Sequence, residues 1–170
     1  MSITDYLIDS ALVLLVLLQL KERQLTTKTI VRPIVILAVA VANYFHRIPT
    51  TGNDLVLITV VALTGLSIGI ASGVTVKMRR GDHGEVLARA AWASAFFWVL
   101  GMGSRFAFLI WISHGGMASI ASFSSAHSIT SGAAWTDALL GMAVFEVLGR
   151  SLVMALRRRQ LQVMGTPELA

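Results

Sequence analysis

Cysteine is absent from all 170 positions of the chain. Its absence excludes disulfides, thiol redox chemistry, Cys-ligated zinc or iron–sulfur clusters, and covalent haem attachment through a Cys-x-x-Cys-His motif. Charge is scarce as well: 14% of residues are Asp, Glu, Lys or Arg, against 55% that are hydrophobic. A soluble domain carries about a quarter charged residues, so the solvent implied by this composition is lipid. Catalytic signatures are scarce. His-Glu-x-x-His does not occur, and the one Gly-x-Ser-x-Gly match, Gly65-Leu66-Ser67-Ile68-Gly69, lies inside an apolar run and not at the strand-to-helix turn of a nucleophile elbow, which leaves an intramembrane hydrolase with little support.

Crossing about 30 Å of hydrocarbon takes roughly 20 apolar residues in a helix. Five runs qualify, at about 3–20, 30–46, 55–76, 86–112 and 134–156. The first is no signal peptide: it lacks a basic leader, carries Asp5 and Asp9, and runs into Lys21-Glu22-Arg23 instead of a small-residue cleavage site. In lipid the backbone must satisfy its own hydrogen bonds, and runs of this length are too long for barrel strands, so the expected fold is all-α.

The net charge of +5 is spread in a telling way. Lys21, Arg23, Lys28 and Arg32 fall between the first two runs; Lys77, Arg79, Arg80 and Arg89 fall between or just inside the third and fourth; Arg157, Arg158 and Arg159 follow the fifth. The alternate connections hold Arg47 alone, and the stretch 113–133 has no Lys or Arg. Positive charge marks the cytoplasmic side. The expectation is a polytopic bundle of five transmembrane helices, multi-pass in a bacterial cytoplasmic membrane, with the N-terminus outside and the C-terminus inside. The basic loops then contact anionic lipid headgroups on the inner side. Nucleic acid is not expected as a partner, because no aromatic-interleaved basic face accompanies the charges.

Ionisable residues within spans are the sharper clue, since each costs at least ~2.5 kcal/mol near the bilayer centre unless paired or wet. Arg105, Asp9 and Asp137, with Asn43 and His46, are expected to form one outward-facing layer. It is either an ion pair that pins the bundle or a polar pocket in which Arg105 recognises an anion. Glu146 and Arg150 stand at i, i+4 as a deeper intramembrane pair. Gly65, Gly69 and Gly73 line one face of the third run with small residues, a helix-packing motif for a neighbour in this chain or in a second copy. His46 and His114 are the candidate ligands for a haem or copper ion, with His127, Met102 and Met117 further off. Spacing does not single them out, because no two histidines lie three or four apart. His83 reads as a turn residue. The stretch 113–133 is too apolar for an ordinary linker and reads either as a short interfacial helix or lid, or as a loose outer loop.

A further signal is the order Gly65-Leu-Ser-Ile-Gly69, then Thr75-Val76-Lys77-Met78-Arg79-Arg80 with Asp82-His83-Gly84, then Trp92 and Arg105. With Leu20-Lys-Glu-Arg-Gln-Leu25 ahead of Pro33, it resembles the CcdC-like family of small bacterial membrane proteins. The resemblance covers about 20–111, and His83 departs from the family's Asp-Gly turn. It implies an association with cytochrome c maturation and marks Arg79, Asp82, Gly84, Trp92 and Arg105 as matching positions, without assigning a reaction to any of them. The absence of thiols argues against a reductant.

The reading that results is a non-enzymatic accessory or assembly factor, or a small-ligand-binding bundle, centred on Arg105. A transporter or channel subunit acting as an oligomer is the alternative, and a haem- or metal-binding membrane protein the third. Expected partners are the lipid bilayer and a membrane protein or a second copy; no cofactor is expected.

Overall fold

The computed structural model describes residues 23–44, 49, 51–81, 85–89 and 92–163. The first expected span, with Asp9, lies outside the described residues, as do His46, Asp82, His83 and Gly84. In chain order the elements are β1 (Arg23–Gln24), α1 (Thr27–Tyr44), α2 (Asp54–Thr75), β2 (Lys77–Arg80), β3 (Val86–Arg89), α3 (Trp92–Trp111), α4 (Met117–Ala126) and α5 (Gly132–Val163).

Three helical stretches, Asp54–Thr75, Trp92–Ala126 and Gly132–Val163, are long and apolar enough to cross a membrane. The first, at 22 residues, is about 33 Å long at 1.5 Å per residue. Their packing is that of a membrane protein. Large apolar side chains such as Leu63, Ile70, Phe96, Phe106, Leu109 and Leu152 point outward, whereas the interior holds Ala62, Gly65, Gly69, Ser72, Ser94, Ala138 and Gly141. Lipid offers Leu and Phe as good a home as a core does, so close contact between helices goes to the small residues.

Three helices carry most of this packing. Gly65 lies against the backbone of Met142, Gly69 against that of Glu146, and Gly73 against Arg150 and Val153. The paired positions advance together, so α2 and α5 run parallel. A Cβ on Gly65 or Gly69 would run into the carbonyl of the facing residue, which is why the two backbones touch only where side chains are missing. Between them in sequence, α3 returns antiparallel: Ser94 near its start meets Ser72 near the end of α2, their hydroxyl oxygens 3.3 Å apart, and Phe108 near its end stacks on Trp135 at the start of α5.

Both ends of α2 are anchored by α5 or its lead-in. At the N-terminus the Asp54 carboxylate, 0% exposed, accepts from the Thr130 N–H at 2.7 Å and the Thr130 hydroxyl at 2.9 Å. Beside it, Asn53 Nδ2 donates to the His127 carbonyl and the Asn53 N–H to Ser128. At the C-terminus Arg157 Nη1 reaches the carbonyls of Gly73, Val74 and Val76 at 3.0, 2.7 and 2.7 Å. An acid at the N-terminus and a guanidinium at the C-terminus both match the helix dipole and satisfy end groups that the helix leaves open.

The structure departs from the all-helical expectation at one end of the bundle. Residues 86–89, which open the expected fourth span, form a strand, and the helix begins at Trp92. An antiparallel sheet in the order β1-β3-β2 pairs Arg23 with Ala88 and Lys77 with Arg89. Its inner face gives Val86, Met78 and Ala88 to a cluster with Leu25, Ile30, Met154, Ala155 and Leu161. Four alternating residues suffice for a strand once a helix covers one face, and here α1 and α5 do so.

The other departure lies beyond α3. Over Ile112–Gly116 the helix bends, with His114 at φ −104° and Gly115 at φ 105°, and α4 follows. The 113–133 stretch therefore contains a ten-residue helix, Met117–Ala126, as one of its two expected forms. The last helix is also longer than expected, running from Gly132 to Val163 instead of 134–156.

Candidate functional site

Glu146 occupies the point where the three helices meet. Its backbone lies against Gly69 of α2, and its carboxylate passes over Gly101 of α3, where any Cβ would strike it. One turn beyond Gly101, Arg105 Nη2 donates to Glu146 Oε2 at 2.9 Å. The carboxylate is thus threaded through a gap made by two glycines before it meets its partner. Glu146 is 8% exposed, so the charges are held out of solvent, where a pair is kept only with good geometry.

The sequence reading expected Glu146 to pair with Arg150 and placed Arg105 in a layer with Asp9 and Asp137; the structure adds a pair between Arg105 and Glu146, and Asp9 lies outside the described residues. Arg150, four residues along α5, acts on the same carboxylate electrostatically, and no hydrogen bond between them is among those described. Two guanidinium groups therefore share one acid. Arg105 Nη1 is enclosed and has no hydrogen-bond partner among the described residues, while Nη2 also lies 3.8 Å from the Met102 sulfur. Helical spacing makes the i+4 pair visible in sequence, but the pair between α3 and α5 depends on how the helices cross.

Beside this pair is a cavity of about 260 Å³, lined by Arg105 and Ser104 of α3, Val61 and Thr64 of α2, and Trp135 and Met142 of α5, among others. Its end toward α4 is aromatic: Phe108 stacks on Trp135 at 5.5 Å, and Phe123 of α4 meets Trp135 edge-on at 5.9 Å. The Trp135 indole donates to the Ser124 hydroxyl at 3.1 Å. Asp137, 9% exposed, is on α5 but does not line the cavity; at nine residues from Glu146 it sits about 13 Å away along the helix axis. Asn43 belongs to the last turn of α1. Of the outward layer expected from the sequence, only Arg105 borders this cavity among the described residues.

The histidines are placed separately. His114 is in the bend, its Nδ1 2.9 Å from the Ile110 carbonyl. His127 follows α4, its Nδ1 2.9 Å from the Phe123 carbonyl and its ring stacked on Phe123 at 4.0 Å. Met117 is exposed. Among the described residues no three His, Asp or Glu side chains converge as a metal site.

Asp54, directly before the third apolar run, is a buried acid that the sequence analysis did not single out. Its burial could have been suspected from its place directly before an apolar run, but its acceptor role depends on Thr130, 76 positions away. Its hydrogen bonds are those of a structural group. No protein-family model, curated protein or solved structure matches this chain.

Proposed function

We propose that this chain is a non-enzymatic, multi-pass protein of a bacterial plasma membrane, an accessory or small-ligand-binding bundle whose recognition element is Arg105. In this reading the five apolar runs are five spans, the N-terminus is outside, and the sheet end with the arginines of α5 is inside. The observation that carries the proposal is a guanidinium beside a cavity with one enclosed nitrogen, Nη1, that has no acceptor among the described residues. A buried donor left without an acceptor costs about 1–3 kcal/mol, more for a charged group. A turn of the guanidinium toward the cavity would bring Nη1 to an acceptor oxygen on a ligand or partner group and recover that cost. Two guanidiniums to one carboxylate favour an acceptor that is negatively charged, and the Trp135 and Phe108 rings favour one attached to an apolar or ring-bearing body. The resemblance of 20–111 to the CcdC-like family favours an accessory role.

The test is mass analysis and an absorption spectrum of the full chain purified in mild detergent, as wild type and as Val61→Trp, which fills the cavity from α2 and leaves both members of the ion pair in the chain. A stoichiometric acceptor-bearing molecule or protein partner that is present in wild type and lost in Val61→Trp supports the reading. Identical, ligand-free samples would reduce the ion pair to a structural pin. A Soret band would overturn the proposal in favour of a haem protein.

A further inference from the structure

The sheet has two faces, and only one is accounted for by packing. Met78, Ala88 and Val86 point into the core, and the alternate residues Lys77, Arg79 and Arg89 take the other face. On that face Lys77 stands directly opposite Arg89 across the two strands, so their charges are brought together. The same face borders a groove of about 640 Å³ between the sheet and the end of α2, and its wall on the α5 side is Arg157. Four cationic side chains line this groove, and none of its described lining residues is acidic. Arg157 is held in place by three carbonyls at the end of α2, so its charge is fixed beside the groove.

We infer that this groove binds the phosphodiester headgroup of an anionic lipid. Arginine matches phosphate oxygens with two parallel hydrogen bonds, and lysine adds a point charge. The phosphate would lie between Lys77, Arg89 and Arg157. A lipid is favoured over a soluble anion by what lies next to the groove. Val74, which lines it, and Ile70, one turn deeper on α2, are exposed apolar residues on the flank of a membrane-length helix. A phosphate in the groove therefore places acyl chains along α2 at the depth where the hydrocarbon begins. Basic pockets at the cytoplasmic ends of membrane helices hold anionic headgroups by this logic. The inference rests on the membrane placement proposed above but not on the Arg105 cavity.

The experiment is a titration of the full chain, purified in neutral detergent, with phosphatidylglycerol or phosphatidylcholine, bound lipid being counted by native mass spectrometry. Saturable binding of phosphatidylglycerol, with little of phosphatidylcholine, is expected. The double variant Lys77→Gln/Arg89→Gln should weaken binding about thirty-fold, on the scale of two basic residues at an anionic surface. Lys28→Gln/Arg32→Gln removes the same charge from outside the groove and should weaken binding less than the groove variant does. If the double glutamine variant does not fold, Lys77→Gln alone decides, set against the charge-preserving Lys77→Arg. Equal binding of the two lipids, or unchanged binding by the groove variants, would overturn the inference. Displacement of the lipid by millimolar inorganic phosphate would overturn the lipid as the ligand. A chain released from membranes by high salt without detergent would instead overturn the membrane placement.

Discussion

Arg105 and Glu146 show how one residue pair can serve stability and recognition with different energetic signatures. Removing one member of a buried pair leaves the other charge uncompensated, at a cost of about 3–5 kcal/mol, whereas replacing both with apolar residues of similar size is often neutral. Glu146→Gln should therefore lower the thermal unfolding midpoint of the purified protein markedly, and Arg105→Met/Glu146→Met should recover part of the loss, the remainder being Arg150 left without its acid. A double variant as unstable as the single one would mean that the pair holds more of the bundle than these two contacts. If the double variant is stable yet loses its co-purifying ligand, the site is a recognition site. The sequence made both residues conspicuous, because charges in apolar runs are few. It did not disclose their partnership, which requires Gly69 and Gly101 to stand on either side of Glu146.

At the scale of the element, the regular helices were legible and their boundaries less so. A stretch such as Val86-Leu87-Ala88-Arg89 is apolar enough to extend a span and short enough to be a strand, and local pattern cannot choose between them. The choice is made by Arg23–Gln24 and Lys77–Arg80, which supply the pairing from distant parts of the chain. The bend after α3 has a more local cause. Gly115 at φ 105° adopts a backbone that a side chain resists, with a cost of about 1–3 kcal/mol for other residues. Space is not the obstacle there, since a Cβ on Gly115 would meet nothing within 4 Å. Gly115→Ala should thus destabilise the α3–α4 bend through conformation alone, read as faster proteolysis or hydrogen exchange over 112–126 with the three-helix packing intact. Unchanged exchange would show that the bend relaxes into continuous helix at no cost.

For the whole molecule, the reversal of ordinary packing makes the class readable: small and polar residues inside, Leu, Val and Phe outside. Composition alone carried that far, and the three helices of membrane-spanning length agree with it. The side on which each end lies is a separate matter that the absence of cysteine makes easy to measure. Single cysteines at Ser131 and at Gln160 should react with an impermeant maleimide in opposite preparations, Ser131→Cys in intact cells and Gln160→Cys only after the membrane is opened. Labelling of both in intact cells, or the reverse order, would undo the proposed orientation.

The clamps on α2 have a consequence for how the protein is made. Asp54 waits for Thr130, and the terminal carbonyls of α2 wait for Arg157, so neither end of this helix is complete when it leaves the ribosome. At about 5–20 residues per second the first of these partners emerges roughly 4–15 s after Asp54. During that interval α2 must sit in the insertion machinery or the bilayer with a bare acid at one rim and open carbonyls at the other. A helix synthesised later therefore completes α2, and a chain cut short before α5 would present quality-control proteases with a helix unfinished at both ends.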